Sequence, residues 1–264
     1  TLKGQAGGER EQDETLFFRG MDEDKTAAGG VKDVKVVDSN GVAVEDSNEL
    51  AGVEREKTSY DKVGGKVTER SISDQWVSAP TATRVSSWGT TKARKTGEAA
   101  VRQTEVHPDG TLFKSGANNT YDDNGLLQRT ENLHDLNNPN DDTCTRYSYT
   151  QNPTTYVLDV EYQEETVRVA CDKTPSLPAD LVEVERTFYD DNETLGAPPV
   201  RGEPTRRDEF NGWANGAATF KTVARTKYDT FGRAVEASDV FGKKSTTKYE
   251  STVGGALTKV STTN

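Results

Sequence analysis

Residues 228–249 read Y-D-T-F-G-R-A-V-E-A-S-D-V-F-G-K-K-S-T-T-K-Y, and one short pattern occurs in them twice in tandem. Tyr228-Asp229 leads to Gly232-Arg233, and Asp239 leads to Gly242-Lys243. Each half predicts a strand, a turn opened by Asp and closed by Gly, and a resuming strand; the second half ends on a new aromatic, Tyr249. An Asp opening such a turn can accept hydrogen bonds from backbone N–H groups two residues on, and Gly supplies the positive φ that most residues resist. Tyr suits a half-buried strand, with its ring on neighbouring strands and its hydroxyl free to reach a polar partner. Tyr228, Asp229, Gly232, Asp239, Gly242 and Tyr249 are therefore read as structural turn and strand residues rather than as a ligand site.

Worn copies of the pattern lie upstream. Tyr121-Asp122-Asp123-Asn124-Gly125 keeps the frame, with Leu126-Leu127 after it. Tyr60-Asp61 is followed by Gly64-Gly65-Lys66, and Phe188-Tyr189-Asp190 by a delayed Gly196. From Tyr60 to Tyr121, Tyr189, Tyr228 and Tyr249 the intervals are 61, 68, 39 and 21 residues, near three, three-plus, two and one units of about twenty, with the excess in the second falling in the stretch that holds both cysteines.

The run Y-D-x-x-G-R followed by D-x-x-G-x-x-T-x-x-x-Y resembles the YD repeat of Rhs proteins, teneurins and the shell components of insecticidal toxin complexes, most closely at residues 228–249. The resemblance implies an all-β chain of stacked hairpins forming a segment of a spiral β-sheet shell. In that family such a shell encloses a C-terminal toxin or presents another part of the same polypeptide. Strings such as F-R-G-M-D-E-D-K at 18–25 look similar to secreted actinobacterial Rhs proteins. The D-P-x-G core segment that ends the family's shell is not found here, nor is a recognisable effector domain, so self-cleavage and toxicity are not assigned to these residues.

Composition agrees with an all-β reading. Hydrophobic residues are 31% of 264, Met occurs once, and long apolar stripes of helical spacing are missing. Thin polar strands with one wet face account for this. Residues 1–30 read as an irregular N-terminal segment around the apolar patch Leu16-Phe17-Phe18, and 31–264 as the repeat region. Alternation predicts strands at 31–37, 42–44, 99–106, 146–149, 156–162, 166–170 and 181–188, with turns at 38–41 and 107–110. An Asn/Asp/Pro-rich stretch at about 132–178, holding both cysteines, reads as an insertion, and no shift in composition divides the chain into two domains. The start at Thr1 reads as a piece of something larger.

Cys144 and Cys171 are 27 residues apart and outside any C-x-x-C pair. The preferred reading is a structural disulfide, stabilising by about 3 kcal/mol and implying an oxidising, extracellular setting; two buried thiols are the alternative. The two histidines, His107 and His134, lack metal-ligand spacing. The oxygen-rich loop 135–142 (DLNNPNDD) lacks the Gly and distal Glu of a calcium loop, so no metal or cofactor is assigned. No G-x-S-x-G, H-E-x-x-H, P-loop or G-x-G-x-x-G occurs, and pairs such as Glu164-Glu165 and Asp141-Asp142 read as solvated strand faces. A net charge of −11 argues against nucleic acid, and no apolar run is long enough to span a membrane as a helix.

The expected function is thus a non-catalytic wall. Its expected partners are adjoining repeats of the same polypeptide, or another chain, at the sheet edges, and an enclosed effector. The alternative is an extracellular adhesion or glycan-binding module using Trp76, Trp88 and Trp213.

Overall fold

A computed structural model describes residues 2–3, 11–87, 89–251 and 255–264. Trp88 lies outside the described residues. The described chain is almost entirely β, with a single 3-10 turn at Asn48–Leu50 and no α-helix. Two compact units are distinguished: Thr1–Cys144 with Val169–Lys173, and Thr145–Arg168 with Thr174–Asn264.

The first unit holds β1 (Leu2–Lys3), β2 (Glu11–Phe17), β3 (Lys35–Val37), β4 (Ala43–Glu45), β5 (Glu54–Tyr60), β6 (Val67–Val77), β7 (Ala82–Ser86), β8 (Gly89–Ala93), β9 (Thr96–Val106), β10 (Leu112–Tyr121) and β11 (Leu127–Leu133). Its sheet runs β1-β2-β5-β6-β9-β10-β11, with antiparallel neighbours throughout. The hairpins β3–β4 and β7–β8 sit apart from that sheet, inside the two excursions that interrupt the run. Residues 11–17, expected in an irregular segment, are a full strand. Their sequence E-Q-D-E-T-L-F is too polar to announce it, and the pairing with β5 supplies the order.

The excursion 18–53 is held by a buried carboxylate. Asp46, 1% exposed, accepts the backbone N–H of Arg19 (2.9 Å), Gly20 (3.0 Å) and Met21 (3.4 Å). Gly20 has φ +65°, and a Cβ added there would stand 2.7 Å from the Ala51 Cβ, so both backbone and space demand glycine. Phe18 and Leu50 of this excursion are buried apolar side chains, and Cys144, elsewhere in the unit, is buried as well.

The second unit contains β12 (Thr143–Asn152), whose first two residues belong to the first unit, then β13 (Val157–Val167), β14 (Leu181–Tyr189), β15 (Pro204–Ala214), β16 (Ala217–Tyr228), β17 (Ala234–Ser238), β18 (Lys244–Ser251) and β19 (Leu257–Thr263), laid side by side in sequence order. Val167, Leu181, Val184 and Phe188 are buried apolar side chains of this unit. Within the stretch 132–178, expected as an insertion, the regular strands β12 and β13 run through, and the parts outside strands are 134–142, the turn 153–156 and 168–178. The expected strands at 156–162 and 166–170 are one strand, Val157–Val167, because Glu164 and Glu165 lie on the ladder with β14 instead of breaking it.

With so few apolar side chains, cations cover the rings. The Arg186 guanidinium lies 3.6 Å from the Phe220 ring centre and that of Arg206 lies 3.5 Å from Phe188. Arg206 also pairs with Asp208 (3.2 Å) and Glu193, and Thr222 donates to Asp208 (2.8 Å). Burial depresses the Arg186 pKa, and the charges of Asp208 and Glu165 oppose that shift.

Candidate functional site

The repeated turns are the feature with the most regular geometry. At Asp229 the backbone closes twice: Asp229 N–H donates to Arg233 O and Gly232 N–H donates to Asp229 O, both at 3.0 Å. Within that ring Asp229 Oδ1 accepts the N–H of Phe231 (2.8 Å) and of Arg233 (3.1 Å). Asp122 repeats all four bonds with Asn124, Gly125 and Leu126, and Asp239 repeats them with Phe241, Gly242 and Lys243. The closing glycines Gly125, Gly232 and Gly242 have φ of 74°, 75° and 75°, a region that costs other L-residues free energy. Arg233 adds Nε–H to Asp229 Oδ2 at 2.8 Å. That bond, followed by the two backbone donors, holds the Asp229 carboxyl below the usual carboxylate range.

The Asp keeps its role when the turn lengthens. At Asp61 the ring gains one residue, and Asp61 Oδ1 accepts Lys66 N–H at 2.8 Å. At Asp190 the connection grows to 190–203. There the carboxylate takes four backbone donors: Val200 (2.6 Å), Arg201 (3.0 Å) and Gly202 (3.2 Å) on Oδ2, and Glu203 (3.1 Å) on Oδ1. Burial opposes ionisation of Asp190, but those donors outweigh it and its pKa lies below the ordinary value.

The tyrosines do a second job that the sequence signalled only as "a polar partner". Each phenol donates to a backbone carbonyl of the preceding strand: Tyr121 to Glu98 O (3.0 Å), Tyr189 to Glu161 O (2.5 Å), Tyr228 to Pro204 O (3.2 Å) and Tyr249 to Ala234 O (3.0 Å). Tyr60 departs from this, donating to the Glu14 carboxylate at 3.0 Å. The ladder to the following strand shifts register at Tyr60, Tyr121, Tyr189 and Tyr228, so each sits on a bulge where the strand ends. Tyr, Asp and Gly thus act together: the phenol ties the strand end backward, the bulge bends it, and the carboxylate folds the chain into the next strand. Burial, and then the Glu161 charge, push the Tyr189 phenol up to about 12.

Cys144 and Cys171 form a disulfide, with Cα atoms 4.9 Å apart. Cys144 is fully buried. The loop around Cys171 is also held by Cys171 N–H, which donates to Glu131 Oε1 (3.0 Å). Nearby, burial, followed by Glu131 and Asp141, raises the Asp142 carboxyl.

Of the remaining candidates, His134 Nε2 lies 3.2 Å from Thr143 Oγ1, and His107 stands beside Phe113. In the loop 135–142, Asp135 Oδ1 is taken by the backbone N–H and side-chain amide of Asn137, an ordinary Asx turn. Among the described residues no cluster of three or more His, Cys, Asp or Glu side chains is arranged to hold a metal ion. Trp76 is half-buried and stacks on Tyr121 with centroids 4.9 Å apart, and Trp213 is half-buried as well. A cavity of about 310 Å³ in the first unit is lined by Phe18, Val44, Arg55, Asp74, Arg102 and Asn118 among others. Its polar groups largely serve one another: Ser39 donates twice to Asp74, Arg102 to Asn118, and Arg55 to Val37 O. No helix of the described chain is long and apolar enough to cross a membrane.

No protein-family model matches the chain, and no curated protein matches it. Solved structures do. The crystal structure of TcdB2-TccC3 without its hypervariable C-terminal region aligns with 83% of this chain at a TM-score of 0.51 and 12% identity. A second crystal structure of TcdB2-TccC3 aligns with 77% at 0.47 and 12%. The chain spans 16% of the length of the first of these. At that identity the likeness establishes the fold: an antiparallel β architecture like one part of TcdB2-TccC3.

Proposed function

We propose that this chain is a structural, non-catalytic segment of a YD-repeat wall, part of a larger secreted protein in which the wall encloses or presents an effector. The observation that carries the reading is the repeated Asp-to-Gly turn, whose four-bond ring recurs at Asp122, Asp229 and Asp239 and follows a tyrosine on a bulge at the first two. Such a device builds sheet: in each ring one carboxylate oxygen takes two backbone donors, and the phenols of Tyr121 and Tyr228 donate to backbone carbonyls. The fold likeness to a section of TcdB2-TccC3 supports it, and the disulfide supports an oxidising destination. A strand at the end of a sheet also needs a neighbour, since an open ladder invites aggregation, which supports adjoining repeats as partners.

Electron cryo-microscopy of the longer polypeptide that carries this segment tests the proposal. The expected map shows β19 continued by a further hairpin and the sheet bordering an enclosed volume. A map in which the segment stands free, its last strand open to solvent and no volume enclosed, would overturn it.

A further inference from the structure

Residues 121–203 contain eighteen acidic and six basic side chains, so the chain's excess negative charge gathers in this stretch. In the second unit the strand register then brings like charges face to face. Glu164 on β13 is directly opposite Glu185 on β14, which is opposite Glu209 on β15, and Glu183 lies opposite Thr166. Two of these carboxylates have cations: Arg207 is 3.5 Å from Glu185 and 3.1 Å from Glu209, and Lys221 on β16 is opposite Glu209. The other local cations are committed elsewhere. Arg146 on β12 pairs with Glu165 at 3.7 Å; Arg186 donates to Gln163 and stacks on Phe220; Arg206 and Arg225 pair with Glu193 from the loop 190–203. Among the described residues Glu161, Glu164 and Glu183 have no cation within ion-pair distance.

We propose that the β13–β14 pairing is an acid-strengthened seam: at neutral pH the unpaired carboxylate of Glu164, directly opposite Glu185 and diagonal to Glu183, strains the ladder, and its protonation in mild acid tightens it. Like charges directly opposite on neighbouring strands are destabilising, and partial burial limits screening. Burial, then Glu164 and Glu185, raise the Glu161 carboxyl; burial, then Glu185 and Glu183, raise that of Glu164. A carboxyl raised by folding binds its proton more tightly in the folded state. Its contribution favours the fold below the ordinary carboxylate value and is lost as pH rises through the raised folded value. The first unit has the opposite case on β5–β6. Glu56, hydrogen-bonded by Arg70 at 2.7 Å, is held low, so its contribution is present at neutral pH and lost as pH falls. The seam follows from register and charge alone and does not depend on the wall reading.

Amide hydrogen exchange of the 264-residue chain, corrected for intrinsic rates, tests this at about pH 4.5, near the ordinary glutamate value, and at about pH 7.5. Protection of amides 161–166 and 183–186 is expected to be severalfold higher at the lower pH, while amides 56–60 and 67–70 show no such gain. Glu164→Gln flattens the dependence by raising protection at the higher pH. Glu164→Lys, which sets a cation opposite Glu185, makes protection highest at the higher pH. Wild-type protection that does not differ between the two conditions, or a Glu164→Gln chain as pH-sensitive as wild type, overturns the proposal.

Discussion

Reducing the Cys144–Cys171 bridge should loosen the first unit by an amount that its loop length sets. The two residues are 27 apart, and closing a loop of that size removes unfolded-state entropy equivalent to about 3.5 kcal/mol at room temperature. Cys144 is completely buried, so Ala is the replacement that leaves no stranded hydroxyl there, and the small void adds to the loss. One contact opposes it: the bond of Cys171 N–H to Glu131 Oε1, which survives in a Cys144→Ala/Cys171→Ala chain. At a few degrees per kcal/mol for a unit of this size, the melting midpoint should fall by about 10 °C. The assay is thermal unfolding of wild type with and without dithiothreitol, beside the double variant without it, with reduced wild type and variant expected to agree. A midpoint that moves by less than about 2 °C in both would refute the reasoning, because the denatured chain would then gain nothing from losing the link.

Gly20→Ala places a Cβ 2.7 Å from the Ala51 Cβ on a backbone at φ +65°; overpacking and left-handed strain together cost about 3 kcal/mol, read from urea unfolding. Tyr189→Phe removes the phenol bond to Glu161 O and costs about 1 kcal/mol. With the wild-type phenol pushed up to about 12, its contribution is present below the ordinary tyrosine value and lost as pH climbs through 12, so tyrosinate absorbance should show one late-titrating ring that the variant lacks. Asp190→Ala strands four backbone donors; at about 2 kcal/mol, the loop 190–203 should exchange its amides sooner than the strands on either side of it.

The turns were legible because their chemistry is local. Asp122, Asp229 and Asp239 carry carbonyl, carboxylate and glycine within four residues, and the four-bond ring formed at that spacing recurs in the side hairpin at Asp38-Gly41, whereas Asp61, followed by Gly64-Gly65, forms a ring one residue longer. The strand ends were also close, as at β9 and the turn His107-Gly110. What stayed hidden depends on partners far along the chain. The strand Glu11–Phe17 has no alternation of its own and is ordered by β5. The knot at Asp46 needs donors some twenty-five residues upstream. Arg206 over Phe188 and Arg186 over Phe220 look like solvated charges in sequence and become ring covers once β14, β15 and β16 lie side by side. The bulge at each tyrosine is a sheet property as well. Its sequence trace is visible only in hindsight: the residue six positions after Tyr121 and Tyr228 pairs with that tyrosine, and at Tyr60, whose turn is one residue longer, the partner is seven positions on.

The wall reading makes its sharpest demand at β19, the last strand in the sheet order, whose far side has no partner among the described residues. Hydrogen exchange of the outward-facing amides of Leu257–Thr263 can be compared between the isolated chain and the longer polypeptide that carries it. The account predicts that these amides exchange freely in the isolated chain and become protected in the longer one, as the next hairpin completes the ladder. Equal, rapid exchange in both would contradict it.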